Sequence, residues 1–283
     1  MEGYPLTQIE LGLQNIKHIV CYSGGHSSAL VALNVAKRYG TADLILLNHD
    51  ISSFVEHQDI KRFKQEVADY LQVPITYANH KGYETKDQFV ICVERNGFQF
   101  QAGNALCTKI LKTDPFNEYL KTNFPNKDCI IYYGFDKNEL HRIQRRASIL
   151  GEQGYKTDYP LALWKELYVS KTADVGVQPP LAYTKFKHAN CTGCLKAGKQ
   201  HWYIVYCDRP DIWEKAKAAE ETIGYSIMKN DYLEDLEPMF ARMKELGIEA
   251  TEHEDARTFF ARVKKQIASY EDEDVAKPCE CTF

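Results

Sequence analysis

The segment Ser23-Gly24-Gly25-His26-Ser27-Ser28 has the composition of an anion-binding loop. It follows an apolar run from Lys17 to Tyr22 and precedes a helical run from Ala29 to Tyr39, which predicts a strand, a small-residue loop and a helix. Such a loop offers a phosphate the unpaired amides and positive dipole end of the helix, with glycines that let the backbone come close. Arg142, Arg145 and Arg146 are spaced by three and four, so Arg142 shares a helix face with the other two. Their guanidinium groups suit phosphate or sulfate.

Cysteine is the other reactive residue type. Nine cysteines, scattered and odd in number, do not read as a disulfide framework. Cys191-Thr192-Gly193-Cys194 stands out, because residues 185–201 hold four lysines, two histidines and no acid. That field favours thiolates. Metal or iron–sulfur ligation is the first expectation, and a redox dithiol the second. If Leu195–Cys207 is one helix, its rise puts Cys207 about 20 Å from Cys194, too far for one cluster. Cys107, Cys279 and Cys281 remain as further ligands. Cys21, Cys92 and Cys129 lie in apolar runs and read as core.

The elements that must position these groups alternate in kind. Leu44–Leu47 is a second apolar run, ending at His49-Asp50 and followed by an amphipathic stretch from Glu56 to Leu71. Val73–Tyr77 and Ile130–Tyr133 are short, β-branched or aromatic runs. This alternation predicts an α/β fold, a parallel sheet with helices on both faces. The Ser23 loop and His49-Asp50 then share its carboxyl edge, where ligands of such sheets bind. Ala105–Thr122 reads as two short helices, since Thr113-Asp114-Pro115 sets a capping residue before a helix-opening proline. Residues 137–150 form another. Between Tyr155 and Tyr183, Pro160, Pro179 and Pro180 predict a connector. The rest is helical: Leu195–Cys207, Pro210–Ile223, Asp231–Leu246 and Asp255–Tyr270. Stripes such as Ile212, Trp213, Ala216 and Ala219 are core.

Over 283 residues, 44% apolar and 26% charged exclude a disordered chain, and no apolar run approaches the roughly 20 residues of a membrane span. Residues 1–15 lack the basic start and apolar stretch of a signal peptide, so a cytoplasmic location is expected. The net charge of −4 lies wholly in residues 271–283, which disfavours a globally basic nucleic-acid binder and leaves room for a local basic site.

Ser23-Gly24-Gly25-His26-Ser27-Ser28 resembles the Ser-Gly-Gly-x-Asp-Ser loop of the PP-loop adenine-nucleotide superfamily, with Ser27 where most ATP-cleaving members carry Asp. Cys107-Thr108-Lys109, with Leu111-Lys112 and Pro115-Phe116, resembles the cysteine-led segment of the phosphoadenylyl sulfate (PAPS) reductase family. Gly134-Phe135-Asp136-Lys137-Asn138-Glu139, followed by the three arginines, resembles that family's second nucleotide segment. Together these cover about the first 150 residues.

The resemblance implies a PP-loop domain with a five-stranded parallel sheet over residues 1–165. A helical cysteine-bearing domain would follow over 166–270, then an acidic tail with Cys-x-Cys over 271–283. It implies that Ser23 to Ser28, His49, Asp50, Gly134, Asp136, Arg145 and Arg146 bind ATP or an adenylyl sulfate, with magnesium where ATP is used. Catalysis would fall to Cys281, Lys109 and Arg142. Cys107, Cys191, Cys194 and Cys279 would hold a [4Fe-4S] cluster, or zinc. Relatives have two adjacent cysteines where this chain has Leu106-Cys107. Cys281, in a Glu-Cys ending like that of sulfonucleotide reductases, would attack the sulfate sulfur, with a thioredoxin-like protein as reductant. A second expectation is an ATP pyrophosphatase that adenylates a nucleic acid so that a sulfur donor can thiolate it. A third is a nucleotide-sensing protein without turnover.

Overall fold

A computed structural model gives the fold and describes residues 16–99, 105–189 and 191–276, with side chains to residue 269. Five strands pair in parallel: β1 (Lys17–Cys21), β2 (Leu44–Asn48), β3 (Ile75–Tyr77), β4 (Cys129–Tyr132) and β5 (Lys156–Asp158). Their order is β3-β2-β1-β4-β5, so the chain winds outward from β1 on one side and resumes from β4 on the other. The helices are α1 (His26–Tyr39), α2 (Gln58–Leu71), α3 (Gln88–Glu94), α4 (Leu106–Thr108), α5 (Asp114–Asn123), α6 (Leu140–Glu152), α7 (Pro160–Leu163), α8 (Lys199–Asp208), α9 (Pro210–Ile223), α10 (Leu233–Glu245) and α11 (Ala256–Ala276). None of the described helices is long and apolar enough to cross a membrane.

The period-two alternation of the strands builds two apolar layers. Val20, Tyr22, Leu44, Leu46 and Tyr132 pack with Leu30, Val31 and Leu33 of α1 and Phe63 and Val67 of α2. Ile19, Leu47, Ile131 and Tyr133 pack with Phe116 and Leu120 of α5 and Ile143 and Leu150 of α6. Each central strand is therefore apolar on both sides, as a buried parallel sheet requires.

Contacts divide the chain into two compact units. One comprises the described residues up to Lys86 together with Thr108–Ala182; the other comprises those of Asp87–Cys107 and those from Tyr183 onward. This differs from the boundary expected at 165 in two places. The stretch after β5 stays with the sheet because buried Asn34 of α1 accepts from the amides of Tyr168 and Val169 and donates to the Val169 carbonyl, while Val169 and Val177 join the core. The stretch around α3 joins the C-terminal helices. Asp87 pairs with Lys215 of α9 at 2.6 Å, and the Phe98 amide donates to the Tyr225 hydroxyl at 2.6 Å.

Two local expectations also change. Thr113 is not a cap: Lys109–Thr113 forms a π-helix that runs on into α5, and the Thr113 hydroxyl donates to the Thr108 carbonyl. The helix expected from Leu195 begins at Lys199, with Gly198 as its N-cap.

Candidate nucleotide site and cysteine centre

The loop after β1 is shaped by two glycines and a buried lysine. Gly24 adopts φ +83°, a conformation that favours glycine, and a Cβ there would meet Lys64 Cγ and Cδ at 2.8 Å. Lys64 is buried, and its Nζ reaches Glu56 at 2.9 and 3.0 Å and Asn48 Oδ1 at 3.4 Å. Burial of the ammonium pulls the Lys64 pKa down, with Glu56 opposing. Asn48 in turn donates to the Tyr22 carbonyl. The loop backbone is thus fixed from below by α2 and β2.

Within the loop, Ser28 is buried and donates to the Gly25 carbonyl at 2.8 Å, while Ser23 donates to Ser28 at 3.3 Å. Ser23 and Ser27 are exposed. Gly25 caps α1 without a side-chain bond, and the first turn carries no acid, so nothing on the helix itself competes with an incoming anion. Burial lowers the His26 pKa.

The other segments of this unit meet the same edge. A Cβ on Gly134 would stand 3.0 Å from the Ser27 carbonyl carbon and the Ser28 nitrogen, so the turn after β4 lies directly on the loop backbone. Tyr133, Phe135 and Tyr159 lie nearly parallel, with centroids 5.4 to 6.2 Å apart. Arg142 covers Phe135 at 4.2 Å and pairs with Glu139; Arg146 faces Tyr133 at 5.4 Å; Arg145 is exposed. Asp136 is exposed and accepts from the Asn138 amide. His49 Nδ1 donates to the Ala78 carbonyl at 2.5 Å, which fixes its tautomer. Burial brings its pKa down to about 4, against the Ala78 bond and helped by Lys112 of the π-helix. Asp50 pairs with Lys61 at 2.8 Å. Lys109 pairs with Asp114 at 2.5 Å.

In the second unit, α3 ties two cysteine positions together. Gln88 and Cys92, one turn apart on one face, reach different partners. Gln88 donates to the carbonyls of Thr192 and Gly193 at 3.0 and 3.1 Å. Cys92, buried and pushed up to about 12 by that burial, accepts the Cys107 amide. Cys129 of the first unit is likewise buried, as expected, and Cys21 is half-buried with Tyr133 as partner. Two of the four lysines around Cys191 are neutralised, Lys185 by Asp208 and Lys199 by Asp231. Because α8 starts at Lys199, Cys194 does not sit in its first turn.

No protein-family model matches the chain. No curated protein and no solved structure matches it either.

A metal centre needs at least three converging ligands. Among the described residues, no three His, Cys, Asp or Glu side chains are arranged to hold a metal ion. Cys107, Cys191 and Cys194 therefore do not make the expected centre by themselves, and Cys279 and Cys281 lie outside the described residues. Gln88 and Lys64 are supports that the sequence does not announce. Asp87 before an apolar run is a capping signal for α3 that the sequence does carry.

Proposed function

We propose that this chain is an adenine-nucleotide-binding enzyme of the PP-loop type, akin to the PAPS reductase family, that carries out sulfur chemistry. One observation carries the reading: the Gly134 turn rests on the Ser27–Ser28 backbone where the strand order reverses between β1 and β4. Sheets of this kind hold nucleotides at that reversal. The phosphate would take the amides of His26, Ser27 and Ser28 and the hydroxyls of Ser23 and Ser27, with Arg142, Arg145 and Arg146 as counter-charges. His49, neutral at physiological pH, would face the nucleoside.

In the reductase version the Cys281 thiolate attacks the sulfate sulfur. The S–O bond to the nucleotide breaks, and its electron pair leaves with the nucleotide phosphate. A thioredoxin-like dithiol then attacks Cys281 Sγ, sulfite departs, and the second thiol of the reductant closes its own disulfide and frees Cys281.

The test is titration of the full chain, reduced and without oxygen, with ATP and adenylyl sulfates, alongside iron, sulfide and zinc analysis. Saturable binding of one nucleotide is expected, and binding of none overturns the reading. Sulfite release lost in Cys281→Ser selects the reductase. The exposed arginines beside half-buried Phe135 favour a second version, in which ATP adenylates a nucleic acid. Pyrophosphate release stimulated by RNA or DNA selects it. Tight binding with neither product selects a nucleotide sensor.

A further inference from the structure

Cys191 and Cys194 are half-buried thiols flanking a turn at Thr192-Gly193, with Gly193 at φ +74°. A β-turn brings its first and fourth Cα atoms within about 7 Å, and a disulfide accepts separations of about 4.4–6.8 Å. The separations such a turn allows overlap those a disulfide spans.

Protein groups hold the turn through both its carbonyls and its amides. Gln88 Nε2 occupies the carbonyls of Thr192 and Gly193 at 3.0 and 3.1 Å. From the opposite side, His201 Nε2 accepts the amides of Gly193 and Cys194 at 3.0 and 3.3 Å. An accepting Nε2 leaves the proton on Nδ1, which donates to Glu252 Oε1 at 3.2 Å. Glu252 Oε2 is itself fixed by the Lys187 amide at 3.0 Å. Gly193 is wedged, since a Cβ would meet Ile212 Cγ2 at 2.8 Å and Phe89 Cζ at 3.0 Å. The turn is shaped by Gln88, His201, Ile212 and Phe89.

We propose that Cys191 and Cys194 are a redox dithiol that exchanges with a partner dithiol or disulfide, and that His201, oriented by Glu252, is its positioning residue. This assignment does not depend on the nucleotide reading. In the oxidising direction one thiolate attacks a sulfur of the partner disulfide, whose S–S bond breaks, and the departing thiolate takes up a proton. The other thiol then attacks the mixed disulfide, giving the Cys191–Cys194 bond and the second partner thiol. Two electrons and two protons pass to the partner, and the reverse exchange returns them.

The experiment equilibrates the full chain, purified without oxygen and assayed for metal, in mixtures of reduced and oxidised dithiothreitol. Quenching with an alkylating agent and peptide mass mapping follow. A single two-electron transition that links Cys191 to Cys194 is expected. His201→Ala should shift its equilibrium constant by about tenfold, the size of losing two hydrogen bonds. His201→Gln, which keeps an acceptor, should restore most of that shift. Matching tryptophan fluorescence establishes that a variant is folded, because Trp202 and Trp213 are buried in this unit. If His201→Ala fails that check, Gln88→Ala tests the same turn from the other side. The proposal is overturned by stoichiometric iron or zinc that protects both cysteines, or by two cysteines that alkylate independently and never link. An unshifted constant in folded His201→Ala overturns the positioning role.

Discussion

Lys64 fills the space in which a side chain on Gly24 would stand: its Cγ and Cδ lie 2.8 Å from that Cβ position. The same lysine neutralises half-buried Glu56, so one residue both shapes the loop and closes a charge network beneath it. Gly24→Ala combines a positive φ with this collision. It should lower stability by about 1–3 kcal/mol and weaken nucleotide binding, as read by urea midpoint and titration. Lys64→Met keeps the stem and removes the charge. Leaving one partner of a buried pair costs about 3–5 kcal/mol, and Lys61, 3.5 Å from Glu56, should hold the loss to the lower end.

Gly134 and Gly151 make a matched pair. A Cβ on Gly134 meets backbone at 3.0 Å, whereas one on Gly151, within α6, meets nothing within 4 Å. Gly134→Ala should weaken nucleotide binding at least about tenfold, since a loss of 1.4 kcal/mol suffices. Gly151→Ala should bind normally and gain about 0.5–1 kcal/mol of stability. Equal affinity in the two variants would break the link between the Gly134 turn and the site.

His49 gives the fold a pH signature. Its folded pKa, about 4, is depressed from an unfolded value of 6.5 by burial, so it contributes stability that is complete above 6.5 and lost as pH falls toward 4. The contribution is at most about 3 kcal/mol. Urea midpoints taken between pH 7.5 and 4 should fall more steeply for the parent than for His49→Gln.

Arg146 faces Tyr133, and its charge opposes the rise that burial gives the pKa values of Cys21 and Tyr159, placing it against the end of β1. Arg146→Ala should weaken binding by about tenfold or more, the size of one charge-assisted hydrogen bond. Arg146→Lys should recover only part, because it lacks the planar fork. Unchanged affinity in Arg146→Ala would remove Arg146 from the site.

The central strands and the loop after β1 were legible because buried parallel strands are continuous apolar runs: Lys17–Tyr22 against β1, and Ile130–Tyr133 against β4. β5 was not, because Lys156-Thr157-Asp158 is three polar residues on a sheet edge. Pro210–Ile223 was read to the residue, since its opening proline and closing Gly224 punctuate it. The spacing places the helix after Cys194 four residues early, because Leu195 mimics helical spacing while Gly198 starts the helix. Gln88 is unreadable as a support. Its partners are the carbonyls of Thr192 and Gly193, and such bonds leave no mark on spacing.

Asp87–Cys107 is made more than seventy residues before the helices it packs with. On the ribosome Phe89, Cys92 and Phe98 emerge and wait, at roughly 5–20 residues per second, until the stretch carrying Trp202 and Trp213 follows. No single cut in the chain separates the two units. A fragment ending at Ala182 would carry an apolar segment with no cover, which makes such fragments prone to aggregate, and assembly must finish from the carboxyl end backward.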